Sequence, residues 1–94
     1  MIIVHYHDHD DARNETTERT EELATLHDAL EWGLEQHSLH YIERVRAHPA
    51  QAYPFSLAVG YTGEGTNETI EFESIMAMLY WAFDIKGNVL CAIL

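Results

Sequence analysis

The spacing of apolar residues changes along the chain, and each change marks a predicted element. Residues 1–7 combine β-branched side chains with a tyrosine, which predicts a strand that ends where an acidic run begins. From about Asn14 to Gln36 the apolar positions fall at steps of three and four, which predicts one long amphipathic helix. Either Asn14 or Thr16 can cap its first turn. The positions of this apolar stripe are Leu23, Leu26, Leu30, Leu34 and His37.

The remainder of the chain predicts mainly strands, separated by loops that contain proline or glycine. Alternating or β-branched residues mark three of them, at 40–47, 55–61 and 69–73. The run Ile75–Phe83 is apolar on every side, so its periodicity does not separate a doubly buried strand from a buried helix. We expect a bulged strand there, with a second helix over residues 74–86 as the alternative. A last strand follows at 88–94, and no internal repeat is apparent.

Together these elements predict an α+β fold. One long acidic helix packs on a mostly antiparallel sheet, in the order strand, helix, strand, strand, strand, strand. The 94 residues are 47% hydrophobic, which is enough for one core, so residues 1–94 should form a single compact domain. No stretch resembles a membrane span or a signal peptide, and a single cysteine excludes an intrachain disulfide. We therefore expect a cytoplasmic protein.

Negative charge is concentrated in residues 8–35. That segment holds ten acidic residues and two arginines, which accounts for eight of the eleven net negative charges of the chain. A field of this density repels nucleic acid and anionic membranes and attracts basic protein surfaces. We therefore expect a basic protein partner, and neither direct nucleic-acid binding nor membrane binding.

In the predicted helix, the acidic residues lie opposite the apolar stripe, and a tryptophan falls among them. Tryptophan is a frequent interface anchor, and carboxylates around it would receive lysine or arginine side chains from a partner. The predicted partner-binding residues are Glu18, Glu21, Asp28, Glu31, Trp32 and Glu35.

These features favour a small, non-enzymatic binding protein that inhibits or regulates a basic, nucleic-acid-handling protein. On a helix, ten carboxylates over about 42 Å would follow one another at roughly 4 Å, near the ~3.4 Å charge spacing of one DNA strand, so nucleic-acid mimicry is one mode. In bulk composition the chain resembles the small acidic proteins, many encoded by phages, that inhibit restriction or CRISPR effectors. Halophilic origin would also explain the acidity, and an acid-rich structural or assembly subunit is a further alternative.

Histidines near the N-terminus suggest another function. His5, His7 and His9 alternate, so in a strand their imidazoles would project from one face and could bind a transition metal. Solvated histidines in a polar connection are the simpler interpretation. We therefore expect no cofactor, and keep a small metal-binding protein as the alternative.

Catalytic signatures are absent from the sequence. Cys91 lies in the apolar run 89–94, where a thiol behaves as a small buried hydrophobe rather than as a nucleophile. The serines lie in no nucleophile-elbow sequence, and the glycines at positions 60, 63 and 65 do not form a phosphate-binding loop. We therefore predict that the protein is not an enzyme.

The C-terminal third is very apolar for a chain of this size. Exposed apolar patches larger than roughly a few hundred Å² are uncommon on soluble monomers. We therefore expect a homodimer or a larger assembly, with the last strand at or near the contact.

Overall fold

Two small antiparallel sheets, each carrying a helix, form the structure. It is a computed structural model that describes residues 1–36, 38–61, 67–85 and 90–92. The first strand, β1, is central in the first sheet, which has the order β2-β1-β3, and β4 is central in the second, which has the order β5-β4-β6. All neighbouring strands are antiparallel. The elements in chain order are β1 (Ile2–Asp10), β2 (Glu15–Leu23), α1 (Leu26–Glu35), β3 (Leu39–Ala47), β4 (Phe55–Tyr61), β5 (Asn67–Phe72), α2 (Ile75–Ile85) and β6 (Leu90–Ala92).

The two sheets belong to two halves of the chain with the same order of elements: two strands, a helix and a third strand. In each half the first strand is central, and the other two strands flank it. The helices also correspond in sequence, because Leu30 and Trp32 recur 49 positions later as Leu79 and Trp81. The expectation of no internal repeat is therefore wrong. The repeat lies in the topology and in a few helix positions rather than in a long identical segment.

Both helices begin next to a hydroxyl residue that caps the first turn. Thr25 Oγ1 accepts a hydrogen bond from the backbone N–H of Asp28 at 3.1 Å, and Ser74 Oγ accepts one from Ala77 at 3.0 Å. Each bond satisfies one of the N–H groups that a helix leaves unpaired at its start. The two capping residues are also 49 positions apart, so the repeat includes the signal that starts each helix.

The core joins the inner faces of both sheets to the two helices, which pack against each other. Gly33 lies at this helix contact: a Cβ added there would be 3.0 Å from the Cβ of Ala82 and 3.5 Å from Cδ2 of Leu79. The absence of a side chain at Gly33 lets the helices approach closely. The buried hydrophobic residues are Ile2, Val4, Tyr6, Ala29, Leu30, Trp32, Leu39, Ile42, Leu57, Val59, Phe72, Ile75, Met78, Leu79 and Ala82.

The predicted long helix from Asn14 to Gln36 is wrong, because its first part forms β2 and only Leu26–Glu35 is helical. Residues 15–22 contain no apolar side chain, so no apolar stripe holds them as a helix against the core. The threonines in this segment favour a strand, and continuous antiparallel pairing with β1 fixes that conformation.

Asn14, a predicted helix cap, lies instead in the turn between β1 and β2. Its φ of 52° is in the left-handed region, which asparagine adopts more readily than most residues. At the start of the turn, Oδ1 of Asp10 accepts hydrogen bonds from the backbone N–H groups of Ala12 at 3.0 Å and Arg13 at 3.4 Å. The polar run 10–14 therefore closes a β-hairpin rather than starting a helix.

The predicted order of one helix followed by four strands is also wrong, because a second helix interrupts the later strands. The segment expected to be a bulged strand is α2, so the helical alternative applies there. An all-round apolar segment is stable as a helix here because α1 covers one side of it and the second sheet packs against it as well. The cap at Ser74 starts this helix directly after β5.

The apolar C-terminal third contributes much of its surface to the core through α2, where Ile75, Met78, Leu79 and Ala82 are buried. Neither helix in the described ranges is long and apolar enough to span a membrane. The predicted homodimer contact on the last strand stays a prediction, because the side chains of that strand lie outside the described part of the chain.

We predict that Gly33→Ala lowers the free energy of unfolding, although alanine is the better helix former. The added Cβ would meet the Cβ of Ala82 at 3.0 Å, and overpacking typically costs about 1–3 kcal/mol. Adding Ala82→Gly removes the Cβ that the new alanine at position 33 would meet. The double variant should therefore recover most of the lost stability. Urea unfolding of both single variants and the double variant measures this. A double variant less stable than Gly33→Ala alone would contradict the helix contact described above.

Candidate functional site

The outer face of the first sheet carries polar and ionisable residues, whereas its inner face belongs to the core. Along β1, the alternate residues Ile2, Val4 and Tyr6 are buried against the helices. The residues between them project to the other side, as strand geometry requires. This outer face includes Ile3, His5, His7 and His9 from β1, Thr16, Glu18, Thr20 and Glu22 from β2, and Tyr41, Glu43, Arg44 and Arg46 from β3.

His7 lies at the centre of the outer face, between glutamates from the two neighbouring strands. Its Nε2 is 3.4 Å from Oε1 of Glu43 and 3.8 Å from Oε1 of Glu18. The ring of Tyr41 stacks on the imidazole, with the centroids 4.1 Å apart and the planes 13° apart. The His7 side chain is 13% exposed, compared with 50% for Glu43 and 79% for Glu18. The imidazole is therefore held in place, while both carboxylates reach solvent.

A β-bulge in β3 brings Glu43 to this face. The β1–β3 register shifts between His5 and Tyr6, which leaves Glu43 as an extra residue in β3. Next to the bulge, the backbone N–H of Ile42 donates a 2.7 Å hydrogen bond to the hydroxyl of Tyr80 in α2. The second half of the molecule thereby holds the segment of strand that carries Glu43.

The three histidines of the predicted metal site share a face but do not converge on one point. Residues on the same face of a strand repeat at roughly 6.6 Å, so each imidazole meets a cross-strand neighbour before it meets the next histidine. The His5 ring is 3.3 Å from Oγ1 of Thr20 and 3.2 Å from the guanidinium of Arg46. The His9 ring is 3.0 Å from Oγ1 of Thr16.

One group of metal-ligating side chains does converge in the part of the chain that the structure describes. It consists of His7, Glu18 and Glu43, whose ligand atoms all lie within 4.8 Å of one another. The group borders an open cleft of about 370 Å³. Arg19 and Arg44 border the same cleft, so its walls carry both signs of charge.

Trp32, the predicted interface anchor, is buried in the core rather than displayed on an acidic face. It is 9% exposed, and its ring meets the ring of Tyr6 edge to face, with centroids 4.9 Å apart and planes at 70°. Both the first sheet and α2 cover α1. A helix position outside the apolar stripe, such as Trp32, can therefore be buried. In the second half, Trp81 meets Phe72 in a similar edge-on contact at 5.5 Å.

The acidic residues of the predicted partner site lie on two elements and do not form one face. Asp28, Glu31 and Glu35 are exposed along α1. Glu18 is exposed on the outer face of β2, whereas Glu21 is half-buried on the inner face of the same strand. The first sheet therefore separates Glu18 from the helix.

Much of the negative charge lies on the hairpin that β1 and β2 form, where every residue from 10 to 20 is exposed. Arginines compensate two of its carboxylates: Oδ2 of Asp8 lies 3.4 Å from Nε of Arg19, and Oδ2 of Asp10 lies 3.9 Å from Nε of Arg13. Glu15, Glu18 and Glu22 are exposed along β2, which is an edge strand of the first sheet. Seven of the ten acidic residues in segment 8–35 therefore lie on this hairpin, and Asp28, Glu31 and Glu35 on α1 are the other three.

The sequence could predict the position of one of the two glutamates around His7 but not that of the other. Glu18 could be found: once residues 10–14 are recognised as a hairpin turn, the register places it directly opposite His7. Glu43 faces His7 only because of the bulge, and no turn or glycine signal in residues 39–47 marks that bulge.

Burial raises the pKa of Tyr6 above its ordinary value, and the carboxylates of Glu21 and Asp8 raise it further. A raised folded-state pKa gives a contribution to stability that is fully present below about pH 10 and is lost as the pH rises through the folded-state pKa. We predict that Tyr6→Phe reduces the alkaline loss of stability relative to the wild type. Denaturant unfolding of both proteins from neutral to strongly alkaline pH measures this. The same alkaline decline in the variant and the wild type would disprove the role of Tyr6.

Comparison of the chain with protein-family models, with curated proteins and with solved structures finds no match. No relative therefore supplies a function. The chemistry of the chain is given by its own residues, which combine an exposed acidic edge strand with a histidine held between two carboxylates.

Proposed function

We propose that the protein is a small, non-enzymatic binding protein that inhibits or regulates a basic, nucleic-acid-handling protein. The observation that carries the proposal is the exposed acidic strand β2 with the turn that precedes it. Residues 8–23 of the β1–β2 hairpin hold seven acidic residues and two arginines, which gives five of the eleven net negative charges of the chain. The complement of such a field is a positive surface, and surfaces that bind nucleic acid are much more positively charged than other protein interfaces.

The strand β2 offers backbone groups as well as charge. It lies at the edge of the first sheet, where β1 is its one strand neighbour among the described residues. Edge strands carry N–H and C=O groups that can pair with a strand of another chain, and charged side chains restrict that pairing to complementary partners. A basic strand could add to β2 with its lysines and arginines opposite Glu15, Glu18 and Glu22.

The carboxylate spacing on β2 is wider than the phosphate spacing of DNA. Four glutamates fall within residues 15–22, which span about 26 Å at ~3.3 Å per residue, or roughly one carboxylate per 6–7 Å. A DNA strand carries one charge per ~3.4 Å of axis. We therefore propose that the protein competes with nucleic acid for a basic surface without reproducing the phosphate spacing of DNA. The denser carboxylate spacing of a long helix is absent from β2.

Charge reversal on β2 tests the proposal, with matched positions in the second half as the control. The pair Glu15→Lys and Glu22→Lys changes the net charge as much as the pair Glu71→Lys and Glu73→Lys, and all four glutamates are exposed. Glu22 and Glu71 are also 49 positions apart, at equivalent places in the repeat. We expect the β2 pair to weaken binding about tenfold or more, because each exposed ion pair contributes roughly 0.2–1 kcal/mol and reversal adds repulsion.

The measurement is affinity capture from the producing cells, with and without nuclease, followed by binding assays on each purified captured protein. The wild type and the control pair should retain basic nucleic-acid-binding proteins after nuclease treatment, with affinities that fall steeply as salt rises. If both pairs weakened binding equally, the effect would come from net charge and not from the position of the glutamates on β2. Captured partners without a basic surface would refute the proposal.

A further inference from the structure

We infer that the outer face of the first sheet holds a binding site for one divalent transition-metal ion, Zn²⁺ by its ligand chemistry, at His7, Glu18 and Glu43. The three side chains come from the three adjacent strands β1, β2 and β3. Their ligand atoms lie within 4.8 Å of one another. The site goes beyond the binding of a basic partner, because its central ligand is a histidine and one glutamate comes from β3.

The distances suit a single small ion. Zn²⁺ holds nitrogen and oxygen ligands at about 2.0–2.2 Å, so two ligands of a tetrahedral site are roughly 3.3–3.6 Å apart. Nε2 of His7 lies 3.4 Å from Oε1 of Glu43 and 3.8 Å from Oε1 of Glu18. Both glutamate side chains are largely exposed and can make the small rotation that closes the remaining gap.

The donor set selects among metals. One imidazole nitrogen with two carboxylate oxygens suits Zn²⁺, whereas Mg²⁺ and Ca²⁺ prefer oxygen ligands alone. Two carboxylates also balance the charge of a divalent ion. Three protein ligands leave a tetrahedral position for water or for a group from another molecule.

Neighbouring groups hold the ligands in position before an ion binds. Tyr41 stacks on the His7 ring at 4.1 Å, which fixes the plane of the imidazole. The bulge aims Glu43 at that ring, and the Tyr80 hydroxyl accepts the N–H of the adjacent Ile42 at 2.7 Å. Support of this kind raises metal affinity, because less order has to be imposed on the ligands when the ion binds.

The second half of the chain has different residues at the corresponding positions. Its strand register places Ala58 and Gly60 where the first half has His5 and His7, and Asn67 where the first half has Glu18. The repeat therefore preserves the core and the helix caps but not this set of ligands. Among the residues that the structure describes, this set of ligands occurs in the first half.

Calorimetric titration of the purified chain with ZnCl₂ tests the site, with MgCl₂ as the comparison. We expect one Zn²⁺ per chain and no stoichiometric binding of Mg²⁺. Three variants, His7→Gln, Glu18→Gln and Glu43→Gln, should each weaken Zn²⁺ binding by about 100-fold or more, since loss of even an outer-shell partner costs roughly 10–100-fold. The matched controls His5→Gln and His9→Gln change the same face of the same strand and should retain the affinity.

Two further measurements separate a lost ligand from a lost fold. Circular dichroism without metal shows whether each variant folds, and NMR of the imidazole resonances shows which histidine the ion reaches. Saturation of the His7 resonance shifts at one equivalent of Zn²⁺ supports the site. Absence of stoichiometric binding, or equal losses in the His5→Gln and His9→Gln controls, overturns the inference.

Discussion

The close contact between α1 and α2 is the constraint on which the rest of the structure depends. Gly33 lets the helix axes approach, and each helix packs on a sheet at the same time, since Trp32 meets Tyr6 and Trp81 meets Phe72. Both helices are therefore enclosed, and the inner faces of the sheets are filled with apolar side chains. Polar and charged residues are left for the outer faces and for the edge strands, which is where a binding function has to be sought.

The helix packing also reaches the outer face of the first sheet. Tyr80 extends from α2 to the backbone of Ile42, beside the bulge that turns Glu43 toward His7. On the opposite flank, residues 15–22 have no apolar side chain to bury, so β2 stays an exposed acidic edge. The negative charge repels itself and lowers stability, and the shared core offsets that cost.

Sequence patterns were sufficient to predict those elements whose conformation is determined by residues close together in the chain. Residues 2–7 of β1 and the helical part of the apolar stripe could be predicted, because β-branched runs and three-to-four spacing reflect neighbouring residues. The predicted end of the first strand near residue 7 is wrong, because β1 continues to Asp10 through its pairing with β2. The conformation of residues 15–22 could not, because antiparallel pairing with β1 decides it. The periodicity of α1 predicts Trp32 on an exposed face, and this is wrong. The pattern within one helix does not show that a second helix covers that helix. The position of Glu43 next to His7 depends on a β-bulge. The bulge arises from the pairing of β3 with β1 and cannot be read from the sequence of β3 alone.

We propose that a basic partner binds the acidic hairpin of the first half and not the second half. Two-dimensional NMR of the isotope-labelled chain, titrated with a lysine-rich peptide at low salt, tests this most directly. We predict that the chemical-shift changes concentrate on residues 10–23 and disappear as salt screens the charges. Equal changes along β4 and β5, or no change at low salt, would contradict the account.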